Sequence, residues 1–191
     1  MATSRQPAVR GRAAQDALRS LDAFEAGATA RARANIPAAS LAVVDETPAR
    51  GWIPLEHDRH VPSSIIAALG PRANAYFRTL LVRQLEAPLL RSTWSATRRL
   101  LGISPAALVR ALPLGWPIIY RDFGTITVLP QRRTTSRVRF GHVHPSVFAE
   151  PAYPESFAGF FGGFFEACKV EGVVDVSLRP DDDEMLFTLQ W

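Results

Sequence analysis

The sequence predicts an α+β fold: an N-terminal helical group packed on an antiparallel sheet, with an aromatic ridge helix and a C-terminal β-hairpin. Three observations point there. Apolar residues recur at helical spacing between about residues 60 and 111. After Pro113 the pattern changes to short runs rich in β-branched and aromatic residues. Then Phe157, Phe160, Phe161, Phe164, Phe165 and Cys168 fall at i, i+3, i+4, i+7, i+8 and i+11, which is one helical face, and an alternating pair of runs follows.

Taken in order, residues 1–11 are polar, contain Pro7 and Gly11, and read as disordered. Arg12 to about Ala34 is rich in Ala and Arg and reads as a helix. Its narrow stripe of Ala14, Ala17, Leu18, Leu21 and Phe24 is too weak to stand alone and needs a surface to dock on. Residues 35–50, with Pro37 and Pro48, read as a connector holding a short strand at Leu41 to Val44. The compact unit is expected to start near Gly51, dividing the chain into an extension (1–50) and a globular α+β domain (51–191). Pro62 suits a helical first turn; Ile65, Ile66 and Leu69 give that helix its buried face, and Gly70-Pro71 ends it. A second helix, Arg72 to Leu85, buries Tyr76, Phe77, Leu80, Leu81 and Leu85. A third follows Pro88 to about Leu101, with Leu89, Leu90, Thr93, Trp94, Thr97, Leu100 and Leu101 inward and Gly102 as a left-handed cap. Ser104-Pro105 is an N-cap and N1 pair that opens a short helix through Ala111.

Ile118 to Tyr120, Thr125 to Leu129 and Arg137 to His144 read as strands, with turns at Asp122–Gly124 and Gln131–Ser136. Strict alternation puts Val138 and Phe140 on one face with His142 and His144, and Arg137 and Arg139 on the other. The phenylalanine face must be buried. Behind it lie Glu155, Gly159, Gly162 and Glu166; each glycine costs about 1 kcal/mol relative to Ala but lets another backbone approach. Val173 to Leu178, a turn at Arg179 to Asp183, and Met185 to Trp191 form the hairpin, which pins Trp191 in the sheet.

Composition narrows the function classes. The chain has 191 residues, 47% of them hydrophobic, and one cysteine, so it can build a core but no internal disulfide. No apolar run approaches the roughly 20 residues needed to span a bilayer, and the polar start is unlike a signal peptide. A cytoplasmic protein is expected. Of 22 basic residues, 21 are Arg, a bias that fits a GC-rich bacterial genome. Residues 150–191 carry nine acids against Lys169 and Arg179, a net −7. Residues 1–149 hold 20 basic residues against nine acids, a net +11. Such a split can pair internally or between subunits.

Several motifs together carry a resemblance: Gly51-Trp52-Ile53-Pro54-Leu55, Leu101-Gly102-Ile103-Ser104-Pro105, Gly115-Trp116, Tyr120-Arg121-Asp122-Phe123-Gly124, and Tyr153 through Gly163 with the terminal hairpin. Over residues 51–191 the chain resembles a myxobacterial paralogous family. More distantly it is similar to four-vinyl-reductase-type and heme-nitric-oxide-binding-associated ligand-binding domains. That resemblance implies an α+β domain with an internal pocket, in a dimeric or multi-domain signalling context. Heme-binding relatives carry a proximal His and a Tyr-x-Ser-x-Arg signature. The signature is absent here, so heme is not carried over and no cofactor is expected.

No catalytic residue stands out. G-x-S-x-G, a glycine-rich phosphate loop and H-E-x-x-H are all missing, so no enzyme is expected. The four histidines form two pairs, His57/His60 and His142/His144, each on one face of its element. Imidazoles suit transition metals, yet nothing in the spacing brings the pairs together, and no metal site is assigned. Cys168 closes the ridge and reads as an inert core thiol. Asp181-Asp182-Asp183-Glu184 lacks the alternating ligand pattern of a calcium loop and reads as a solvated turn. Arg132, Arg133, Arg137 and Arg139 have no interleaved aromatics for base stacking, so they read as a salt-bridging surface facing a neighbouring subunit's acidic third.

The expected function is a non-enzymatic ligand-binding or sensory domain with an apolar pocket, acting through a protein partner or a second copy, with the N-terminal helix as tether. A self-associating adaptor is the alternative, and a nucleic-acid-associated protein the third.

Overall fold

Two antiparallel sheets and the helices between them account for the fold in a computed structural model that describes residues 6–87, 91–101, 103–130 and 132–191. The segment expected to be disordered contributes a strand: β1 (Ala8–Arg10) is buried, and its backbone pairs on both sides. Helix α1 (Gly11–Arg19) then docks its predicted stripe of Ala14, Ala17 and Leu18 on its own chain, so it is not a free tether. The expected single helix is broken. A turn at Leu21–Ala23 and Gly27, at φ 75°, separate α1 from α2 (Ala28–Ala34). The strand expected at Leu41 to Val44 is instead part of α3 (Ala38–Glu46). A short apolar run cannot be told from a helix by periodicity; here Ser40 and Val44, four apart, are the buried face. Buried Gln15 fixes this arrangement by donating to the carbonyls of Val44 (2.9 Å) and Thr47 (2.8 Å) at the end of α3.

Strand β2 (Trp52–Pro54) pairs with β1, Val9 opposite Ile53, and leads into α4 (Leu55–Asp58), α5 (His60–Leu69) and α6 (Ala73–Glu86). Helix α6 follows its prediction closely: Tyr76, Phe77, Leu80, Leu81 and Leu85 are all buried. The Tyr76 hydroxyl donates to the Ala17 carbonyl and lies 2.7 Å from Ser20 Oγ. Leu18, Leu21, Ile53, Ile65 and Phe77 share one core cluster. Packing is therefore continuous across residue 50, where a boundary was expected.

Helix α7 (Arg91–Leu101) forms where expected, but Leu100 is 78% exposed rather than inward, while Trp94 is half-buried. The roles expected of Leu89, Leu90 and Gly102, and of the side chains of Thr93, Thr97 and Leu101, lie outside the described residues. Ser104 Oγ accepts from the Ala107 amide (3.1 Å), with Pro105 at N1, as the sequence predicts. The helix it opens does not stop at Ala111. Helix α8 (Pro105–Ile119) runs on through Pro113 and Pro117, and only Tyr120–Arg121 forms β3, paired with β1. A proline inside a helix costs about 3 kcal/mol. Leu108, Leu112, Trp116 and Ile119, spaced along one face and packed into the core, offset that cost.

The second sheet has the order β4 (Thr125–Val128), β5 (Thr135–Gly141), β7 (Glu184–Gln190), β6 (Val173–Arg179), all antiparallel. Val138 and Phe140 face inward and Arg137 and Arg139 outward, as predicted. The alternation then fails. His142 takes φ 54°, the strand ends at Gly141, and Val143 is buried in place of the two histidines. His144 instead caps α9 (Pro145–Phe148). Helix α10 (Ala152–Cys168) carries the ridge. Phe157 stacks on Phe140 at 6.0 Å and Phe161 meets Phe187 edge-on at 4.9 Å. Phe160 turns to the other core cluster, 5.9 Å from Phe77. The glycines behind the ridge are buried, and another backbone approaches there as expected. A Cβ on Gly163 would stand 2.6 Å from the Arg78 carbonyl, so α6 and α10 touch backbone to backbone.

Candidate functional site

Where α6, α7, α8 and α10 converge, their side chains leave a partly open, largely apolar pocket of about 90 Å³. Leu81, Leu85, Leu108, Leu112, Phe161 and Phe164 form its body, and Trp94 and Trp116 part of its rim. Trp116 stacks on Tyr120 at 4.0 Å and meets Phe157 edge-on at 5.1 Å, so this aromatic wall is fixed by ring packing. The stripe of α8 that lines the cavity straddles Pro113, the residue that made the sequence read as leaving the helix.

A second, smaller cavity of about 50 Å³ lies between α1, α5 and α10, lined by Ala13, Ala17, Ile65 and Ser156 together with Asp58 and Tyr153. Gln84, Ile119, Tyr120 and Phe160 line both, so the two pockets adjoin there. Asp58 closes α4 and is 4% exposed; Tyr153 donates its hydroxyl to Asp58 Oδ2 at 2.8 Å. Burial pushes the Asp58 carboxyl up to about 7, against the smaller downward pull of the Tyr153 hydrogen bond. The Tyr153 and Tyr120 phenols are both pushed up by burial, and the neighbouring Asp58 adds to it. Sequence patterning singles out neither Asp58 nor Gln84. A lone acid on a short helix has no periodic signature, and its site exists only because β1, α4 and α10 meet.

The residues weighed from the sequence lie elsewhere. His57 Nδ1 sits 3.2 Å from Ser40 Oγ, and burial holds the His60 imidazole below its usual value. His142 is exposed, and His144 accepts from the Ser146 amide. Among the described residues no group of three or more His, Cys, Asp or Glu is placed to hold a metal ion. Burial pushes the Cys168 thiol up to about 11, which suppresses the reactive thiolate. Of the basic hairpin end, Arg139 finds an acid within the chain, lying 3.5 Å from Glu184. No helix among the described residues is long and apolar enough to cross a membrane.

Fold and site together define an α+β domain with a partly open apolar pocket and, in an adjoining smaller one, a buried acid. Several solved H-NOX domains share this fold. An Fe(II) unliganded H-NOX protein from K. algicida matches over 95% of both chains at 11% identity and a TM-score of 0.56. An oxygen-binding H-NOX domain related to soluble guanylate cyclases matches over 95% of this chain and 94% of its own, at 13% identity and 0.56. A mutant Cs H-NOX matches over 95% of both chains, at 15% identity and 0.53. No protein-family model matches the sequence, and no curated relative does. The likeness is one of fold.

The residues present do not fit a heme. Iron in heme is held by His, Cys, Met or Tyr, and of these only tyrosines, among the described residues, line either cavity. Tyr120 is stacked on Trp116, and its phenol is pushed away from ionisation. The larger cavity, at about 90 Å³, also falls well short of the roughly 300 Å³ at which drug-sized ligand pockets begin.

Proposed function

We propose that this chain is a non-enzymatic ligand-binding sensory domain that takes a small apolar molecule directly into the cavity between α6, α8 and α10, without heme. The supporting observation is the lining: a partly open pocket walled almost wholly by aliphatic and aromatic side chains, in a fold shared with solved H-NOX domains. Apolar cavities of this kind stay dry and admit small hydrocarbons. Occupancy would be read out by a protein partner or a second copy, in a cytoplasmic bacterial setting. The motif likeness to a myxobacterial paralogous family belongs to the same reading.

Thermal-shift titration with toluene, indole and hemin tests it. Toluene or indole is expected to raise the melting temperature. Ala111→Phe, which fills the cavity from α8, is expected to abolish that rise. A stoichiometric heme spectrum on hemin addition, or no response to any apolar probe, overturns it.

A second reading, the self-associating adaptor, rests on Leu100, Ile103 and Leu114, which are 78%, 53% and 70% exposed around α7 and α8. Light scattering that shows a monomer at all salt concentrations removes it.

A further inference from the structure

We propose that the two cavities are one ligand site, and that its ligand is a small primary amine whose apolar body fills the larger cavity while its ammonium group binds Asp58. This rests on the apolar-cavity reading above and names the ligand class for it.

Three observations carry it. Among the described residues Asp58 is an acid with no cation: no Lys, Arg or His lines its cavity, and the one hydrogen bond its carboxyl makes comes from Tyr153. Removing a charge from water without a partner is costly, so a cationic ligand supplies what the chain omits. Gln84 is the second. It is nine-tenths buried and lines both cavities and the outer cleft that also includes Asp16, Arg19 and Arg83. Size is the third. Volumes of about 90 and 50 Å³ together approach the roughly 150 Å³ at which an apolar cavity takes a single aromatic ring.

The other titratable groups lining the Asp58 cavity are Tyr120 and Tyr153, both held neutral by burial. The free carboxyl, pushed up to about 7, therefore carries a proton below neutrality that an ammonium would expel.

Calorimetric titration of the full chain with benzylamine, benzyl alcohol and toluene decides the matter. Benzylamine is expected to bind at least about tenfold more tightly than toluene, as a charge-assisted hydrogen bond should. Near pH 6, amine binding should release close to one proton per molecule, falling towards none near pH 8. Asp58→Asn should bring benzylamine down to the affinity of toluene and leave toluene unchanged. The proton release is read on the unaltered chain, so it stands even where the variant folds poorly. Toluene binding as tightly as benzylamine, or an amine preference that survives Asp58→Asn, overturns the assignment while leaving the apolar-cavity reading intact. Failure of all three probes overturns both.

Discussion

Burying Asp58 without a cation makes folding depend on pH. The carboxyl is raised from an ordinary 3.8 to about 7 in the folded chain. Below its ordinary value both states hold the proton and stability is full. As pH rises the unfolded chain ionises first, and stability falls by about 1.4 kcal/mol per unit until the folded carboxyl ionises too. A shift of this size amounts to about 4 kcal/mol. Urea midpoints between about pH 4 and pH 8 should decline in the native chain relative to Asp58→Asn; parallel profiles would show that the acid is not buried as described. Ser136 makes a simpler case. It is fully buried on the inner face of β5, in line with Val138 and Phe140, and its hydroxyl has no partner among the described residues. Ser136→Ala should stabilise by about 1 kcal/mol in denaturant unfolding, because it removes a desolvated group that makes no bond.

Helix α10 shows how one element serves two neighbours. Its phenylalanines are readable from spacing, but the role of its glycines depends on what α6 presents to each. At Gly163 the obstacle is the Arg78 carbonyl at 2.6 Å and Leu81 Cβ at 2.9 Å. Neither can move without shifting α6. At Gly162 the nearest atoms belong to the flexible end of the Arg78 side chain, Nε at 2.7 Å. Gly163→Ala should therefore destabilise by about 1–3 kcal/mol, overpacking outweighing a helix gain of about 1 kcal/mol. Gly162→Ala should be neutral or stabilising. Equal thermal shifts in the two variants would contradict this packing. Helix α8 gives the opposite lesson. Its prolines read as punctuation, and only the packed face of Leu108, Leu112 and Trp116 keeps it helical through them.

Across the molecule, the cavities depend on the N-terminal segment. Strand β1 is the centre of the first sheet, and Val9, Ala13 and Ala17 line the Asp58 cavity. A chain starting at Gly51 should lose cooperative unfolding by circular dichroism, because β2 and β3 lose the strand between them and Ile65, Phe77 and Leu80 lose their cover. A sharp transition in that fragment would restore the boundary expected at residue 50.

Patterns of local origin are legible in the amino-acid sequence by itself: the phenylalanine face, the Ser104 cap, the α6 stripe, the terminal hairpin and, with them, the α+β class. Each follows from side-chain spacing on one element or from the backbone chemistry of a few adjacent residues. The β1 pairing, the persistence of α8 past two prolines, the turn that expels His142 and the meeting of Asp58 with Tyr153 are decided only by the tertiary structure. Those features join residues as far apart in the chain as 58 and 153, and their energies come from burial and hydrogen bonds that arise when distant elements pack together.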